Sequence, residues 1–378
     1  MQTVFKAADA ADFLALVPAL AGYRPVDSVA LVLFRGTRTA GVIRLDLAAF
    51  RDPLSVDSAA ATAVGLACKV DSVDGVAVVV YTDDPLRAGP DDLPCRDAVD
   101  AIEAKAHACG LRLVDALCVA ADAWGSYLDA ETPPGGWDLD RIRRREADVP
   151  FALPASGTTQ SDGASLPAVD LAEKERVARA HAALQDAAAA LGSGVGHGRG
   201  DLAGIDPRAL AIVGALDDLP AFFERSLTWA PASLDPFDAA TLLWCIERPV
   251  FRDVFLTQMC GDVETGDATL ADQLAWHAGE DLAEDCADAL LGRGPRPEPA
   301  RLTTALELMR RVAATAPRAR RPGPMSAAAW LCWALGRSTQ AAWFATEALR
   351  IEPEHGMATI VLTLVQNAVL PEWAFERP

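Results

Sequence analysis

LAGYRPVDSVALVLFRGTRTAGVIRLDL, residues 20–47, is the stretch that decides the fold. Gly22-Tyr23-Arg24-Pro25 and Asp27-Ser28 are turn formers, and Val29 to Phe34 is an unbroken β run. Arg35-Gly36-Thr37-Arg38 is a polar connection of hairpin length, and Ala40 to Leu47 is the second strand. Upstream, Asp9 to Leu20 reads as a helix with Phe13, Val17 and Leu20 on one stripe. Downstream, Asp52-Pro53 opens a helix that ends before Val70, since proline suits a first helical turn. Gly75 to Tyr81, GVAVVVY, has the apolar continuity of a strand covered on both faces. Leu93 to Cys109 is helical and stops at Gly110, and Leu113 to Ala121 is the fourth strand. The order α-β-β-α-β-α-β predicts an α/β domain with a mixed sheet, built from a hairpin plus βαβ crossovers.

The remainder has a different character. Residues 150–169, within VPFALPASGTTQSDGASLPAV, are rich in Pro, Ser, Gly and Thr and read as a linker between an α/β domain at 1–149 and a helical domain at 170–378. Asp170 and Glu173 open a long Ala-rich helix to Leu191, and Gly192 to Gly200 is a break. Asp206-Pro207 and Asp235-Pro236 each mark a helix start. Helices are expected at 208–219, 237–247, 250–260, 268–291, 300–315, 325–335, 339–350 and 355–369. Trp330, Trp333, Gly336, Ala341, Ala345, Ala348 and Pro353 carry the spacing of a tetratricopeptide-like terminal hairpin, which must dock on the helices before it.

Composition excludes several classes. A net charge of −19 over 378 residues argues against nucleic acid as a partner, because phosphate binding needs clustered cations. No run of eighteen apolar residues indicates a membrane span, and a cytoplasmic, acidic protein is expected. The one basic cluster, Arg141 to Arg145, reads as a solvated helix face or linker start. Cysteines at 68, 95, 109, 118, 245, 260, 286 and 332 form no Cys-x-x-Cys pair and lie at no zinc-finger spacing, so reduced, buried thiols are expected. The histidines do not cluster, Ser126 lacks a Gly-x-Ser-x-Gly frame, and neither a phosphate loop nor a Rossmann fingerprint is present.

Four motifs carry a resemblance: Gly22-Tyr23-Arg24-Pro25 with Asp27-Ser28 and Arg44-Leu45-Asp46-Leu47; Val80-Tyr81-Thr82-Asp83-Asp84-Pro85; Trp124-Gly125-Ser126-Tyr127-Leu128; and Ala329-Trp330-Leu331 through Gly336. Together they resemble the domain-of-unknown-function 4192 family of actinobacterial proteins over nearly the full length. The resemblance implies no activity. Where that family commonly has a cysteine after Ser-Tyr-Leu and then Cys-Cys-Pro, this chain has Asp129 and Glu131-Thr132-Pro133-Pro134. A thiol-dependent role in that loop is therefore not carried over.

Ligands of open α/β sheets bind beyond the carboxyl ends of parallel strands. If strands three and four are parallel neighbours, Asp83, Asp84 and Asp122 end them, and Trp124, Ser126 and Tyr127 follow in the same loop. Converging carboxylates there suit Mg²⁺ or acid/base work; the plainer expectation is that the aspartates cap turns and the aromatics pack the loop. Arg24 and Ser28 form a second candidate, an anion clamp, against the expectation that Arg24 pairs with an acid such as Asp46. No constellation fixes a cofactor or catalysis. The function expected is a non-enzymatic scaffold or protein-interaction module, with a protein partner or self-association. The alternative is an enzyme or small-ligand binder using the strand-end carboxylates.

Overall fold

The computed structural model describes residues 6–86, 93–192, 204–280 and 287–376. The chain divides into two compact units, Met1–Ser161 with Phe375–Pro378, and Asp162–Ala374. The expected break at 193–200, Cys286, and residues 281–286 of the expected 268–291 helix lie outside the described residues.

In the first unit the opening helix α1 (Ala10–Ala21) starts where the Asp9 carboxylate accepts the Asp12 amide, and it ends at Gly22. Gly22 takes φ +80°, a left-handed conformation that costs glycine nothing. Strands β1 (Ser28–Arg35) and β2 (Arg38–Asp46) form the expected antiparallel hairpin. A short helix α2 (Ala48–Arg51) and then α3 (Val56–Lys69) lead to β3 (Gly75–Tyr81); α4 (Arg96–Ala108) leads to β4 (Arg112–Val119). β3 and β4 are parallel neighbours. Two strands were not anticipated: β5 (Ala123–Ser126) and β6 (Trp137–Asp138) extend the sheet, and α5 (Asp140–Glu146) follows. They span four and two residues, too few for a period-2 pattern to register.

The strand order is β2-β1-β3-β4-β5-β6. Alternation along the central strands divides their side chains between two cores. Val29, Leu31, Leu33, Val76, Val78 and Val80 pack with Ala63, Val64, Val99 and Ile102 of α3 and α4. Ala30, Val32, Phe34, Ala77, Val79 and Tyr81 pack with Leu14 and Val17 of α1 and Ile142 of α5. Helices cover both faces, which is why β1 and β3 read as continuous apolar runs. The α/β expectation holds.

The second unit contains no strand among its described residues. Its helices are α6 (Leu171–Gly192), α7 (Pro207–Gly214), α8 (Leu219–Ser226), α9 (Pro236–Ile246), α10 (Pro249–Cys260), α11 (Val263–His277), α12 (Pro299–Thr315), α13 (Pro322–Ala334), α14 (Ser338–Leu349) and α15 (Gly356–Gln366). Aspartate caps recur: Asp206, Asp218 and Asp235 each accept backbone amides ahead of α7, α8 and α9. The expected 208–219 helix is broken, because Pro220 cannot sit in a helix interior and instead starts α8. The helix expected at 268–291 begins earlier, at Val263, behind a capping box of Asp262 and Thr265, and ends at His277.

α13 and α14 pack against each other through Leu335–Arg337, with Ala341, Ala345 and Ala348 fully buried. Around them the indoles pin irregular backbone. Trp330 Nε1 donates to the Leu290 carbonyl at 3.0 Å, Trp333 Nε1 to Val369 at 2.7 Å and Trp373 Nε1 to Ala334 at 3.1 Å. No helix among the described residues is long and apolar enough to cross a membrane.

Candidate functional site

The parallel pair brings 82–84 and 120–122 to one end of the sheet, tied by Thr82 N–H donating to the Val119 carbonyl at 3.0 Å and Ala121 N–H to Asp84 at 3.3 Å. The carboxylates there are turned to the chain's own donors. Asp84 Oδ2 accepts from Arg51 Nη2 at 2.9 Å and from the Thr82 hydroxyl at 3.1 Å. Asp122 Oδ1 accepts the Leu86 amide at 2.9 Å. Asp83 is exposed and has no bonded partner among the described residues. Among those residues no three His, Cys, Asp or Glu side chains converge as a metal set.

Trp124, Ser126 and Tyr127 are not loop residues open to a ligand. Trp124 and Ser126 belong to β5, and all three are buried, because β5 pairs with both β4 and β6. The Trp124 ring lies 4.5 Å from Trp137, with the Arg141 guanidinium 5.6 Å away over its face. Arg141 is thus stacked, not merely solvated. Ser126 Oγ accepts the Leu128 and Asp129 amides, each at 3.2 Å, and so holds the turn. The Tyr127 hydroxyl donates to the Pro94 carbonyl, and burial pushes its phenol well above the usual range.

At the α1–β1 turn, Arg24 pairs in bidentate fashion with Glu146 of α5, at 2.6 and 2.9 Å, and not with Asp46. Arg44 takes that acid instead. Ser28 donates to Val26 at 2.6 Å and accepts from Arg44 Nε at 3.0 Å, so neither residue is left to clamp an anion. In the same unit the Tyr81 hydroxyl, Arg24 Nε and Trp124 Nε1 are buried without a hydrogen-bond partner among the described residues.

The helical unit holds a cleft of about 590 Å³. That volume lies in the range of small-ligand and side-chain pockets. Its apolar wall includes Leu291, Pro322, Trp330, Met357 and Ile360, and its polar groups are Glu247, Arg252, Asp253, Arg320, Glu352 and His355. Glu247 caps the end of α9 and is the centre of the site. Its Oε2 meets His181 Nε2 at 3.0 Å, with the imidazole buried. Its Oε1 is also buried and receives no hydrogen bond among the described residues; its ion-pair partner, Arg320 Nε, lies at 3.7 Å. A buried polar atom left without a hydrogen bond costs about 1–3 kcal/mol.

Gly323 makes the arrangement possible. A Cβ there would come within 3.2 Å of the Ile246 carbonyl and 3.3 Å of Glu247 Cα, so glycine lets the start of α13 press on the Glu247 backbone. The neighbouring Arg252 is spent on Asp253 at 2.8 and 2.9 Å, and burial raises the Asp253 carboxyl. His355 caps α15, its Nδ1 accepting the Ala358 amide at 3.4 Å. Burial lowers the affinity of its ring for a proton, Glu352 opposes that, and Arg252 reinforces it.

None of His181, Glu247, Arg320 and His355 was a sequence candidate. Glu247 and His181 are 66 positions apart, and no local motif announces either. The available signal was weak: an acid at a helix end, directly before the Arg248-Pro249 start of the next helix.

The chain belongs to the family described as "Domain of unknown function (DUF4192)", whose model matches residues 11–372, confirming the resemblance drawn from the four motifs. No curated protein matches the chain, and no solved structure does.

Proposed function

We propose that the protein is a non-enzymatic protein-interaction module whose helical unit receives a partner segment in the Glu247 cleft. The occupant is a peptide stretch carrying a basic side chain beside apolar ones. The observation that carries this is the cleft-lining Glu247, whose buried Oε1 receives no hydrogen bond among the described residues and has only the 3.7 Å ion pair with Arg320. Three carboxylates against two guanidinium groups in the lining, and a chain charge of −19, favour a cationic partner. Ile360 and Leu291, 54% and 51% exposed, supply an apolar lip on which flanking side chains can settle. The alternative, a strand-end site with Mg²⁺, has weaker support, because Asp84 and Asp122 already have donors.

A randomised peptide library screened on the full chain tests the reading. Lys or Arg next to an apolar residue should be enriched. Binding of the selected peptides should fall at least ~10-fold, about 1.4 kcal/mol, in Glu247→Gln and in Ile360→Asp. Both variants should keep the wild-type circular dichroism, since Gln preserves shape and Ile360 is exposed. Enrichment of acidic peptides, which the helix N-termini at Pro249, Pro322 and Gly356 would favour, overturns it, as does the absence of any consensus.

A further inference from the structure

Two cysteines depart from the expectation of buried thiols. Cys118, Cys245 and Cys332 are buried, and burial pushes Cys118 and Cys332 up to about 12, which leaves them inert. Cys68 and Cys109 are exposed and unbonded. Topology brings these two together. Each of α3 and α4 feeds one strand of the parallel pair β3–β4, so both helices run the same way and end beside the strand starts. They pack together through Ala60, Ala63 and Val64 on one side and Ala98, Val99 and Ile102 on the other. Cys68 lies in the last turn of α3, and Cys109 directly follows α4. The Cys109 thiol is among the neighbours that raise the Cys68 thiol above its ordinary range.

We propose that Cys68 and Cys109 are a redox-modification site: they close into an intramolecular disulfide that ties the ends of α3 and α4, and they reopen on reduction. The oxidant is a low-molecular-weight disulfide. The thiolate of one cysteine attacks a sulfur of that disulfide, breaking its S–S bond and releasing one small thiolate. The other cysteine, as thiolate, then attacks the mixed disulfide and expels the second. Two protons and two electrons leave the protein, and one small disulfide becomes two small thiols. The bridge requires the two sulfurs to come to about 2 Å.

The local chemistry sets the pace. Burial first, and the neighbouring Cys109 thiol second, raise the Cys68 thiol above its ordinary range. The negative end of a helix dipole also disfavours a thiolate. Closure is therefore slow at neutral pH and quickens as pH rises, which separates this pair from a catalytic dithiol with a depressed pKa.

The test equilibrates the full chain in a series of oxidised and reduced glutathione ratios, quenches it by alkylation and maps peptides without reduction. A single peptide linking Cys68 to Cys109 is expected, in monomeric protein, reversed by dithiothreitol. Oxidised wild type should melt higher than reduced wild type, because the bridge constrains the unfolded chain. That rise should vanish in Cys68→Ser and Cys109→Ser, whose reduced forms should melt with the reduced wild type. Accumulation of glutathione adducts on both cysteines without the linked peptide overturns the proposal, and so does linkage only between separate chains.

Discussion

The two units use their carboxylates in opposite ways. In the α/β unit, where topology directs a ligand, the strand-end acids Asp84 and Asp122 bond to Arg51, Thr82 and the Leu86 amide. In the helical unit, Glu247 lines a cleft and engages His181 with one oxygen, while the other is buried with only the 3.7 Å ion pair to Arg320 and no hydrogen bond among the described residues. Topology names the place where a ligand usually sits. The cleft beside Glu247 is where we propose that this chain takes one.

The wall of that cleft is the first thing to break. Trp330 is 1% exposed, lines the cleft and donates to Leu290. Trp330→Ala should cost about 3–5 kcal/mol in urea unfolding, since it opens a cavity and orphans a carbonyl. A cost near 1 kcal/mol would mean that α13 is not a packed wall and that the cleft is softer than the sheet end.

A paired acid in the same unit sharpens the contrast next. Glu224 takes Arg301 at 2.7 and 2.5 Å, while Arg301 also reaches the Gln258 carbonyl at 3.2 Å. Arg301→Met should cost about 1.5–3 kcal/mol, the range for charge-assisted bonds lost from a partly buried site. Glu247→Gln should cost less, because it removes a charge whose second oxygen has only a 3.7 Å ion pair with Arg320 and no hydrogen bond among the described residues, while its amide can still meet His181. If Glu247→Gln proves the more damaging, Glu247 is structural and the comparison collapses.

What was legible in the sequence follows the range of the interactions. β1 to β4 and the Asp-Pro helix starts at 206–207 and 235–236 were readable, because a strand alternation or a cap is decided within a few residues. The pairing of Arg24 was not: a local rule pointed to Asp46, but α5 folds back and brings Glu146 into bidentate range. The burial of Trp124 depended on β6, two residues long, and on Arg141, which read as a solvated face. The cleft was least visible, since its groups come from α6, the α9–α10 junction and the starts of α13 and α15. Cys68 and Cys109 were visible as residues; only the parallel course of α3 and α4 makes them a pair.

Smaller effects are expected at the sheet end. Asp122→Ala should cost about 0.5–1.5 kcal/mol through the Leu86 amide it leaves unmatched. Asp83→Ala, at an exposed position without a partner among the described residues, should stay within about 0.5 kcal/mol. Millimolar Mg²⁺ should leave the melting temperature of wild type and both variants unchanged. A rise in wild type that Asp83→Ala abolishes would restore the strand ends as a cation site, because a ligand stabilises the state that binds it.

The smallest effect is a pH slope in the helical unit. Burial holds the His355 ring below the ordinary imidazole value, so its proton affinity is weaker folded than unfolded. The unfolded chain therefore takes up the proton first as pH falls. Stability contributed by neutral His355 is fully present above the unfolded value near ~6.5 and is lost as pH drops through it toward the lower folded value. In His355→Asn, which keeps a side-chain cap for α15, the melting temperature should fall less between neutral and mildly acid pH than in wild type. Equal slopes in the two proteins would place His355 in solvent, at the rim of the cleft and not within its wall.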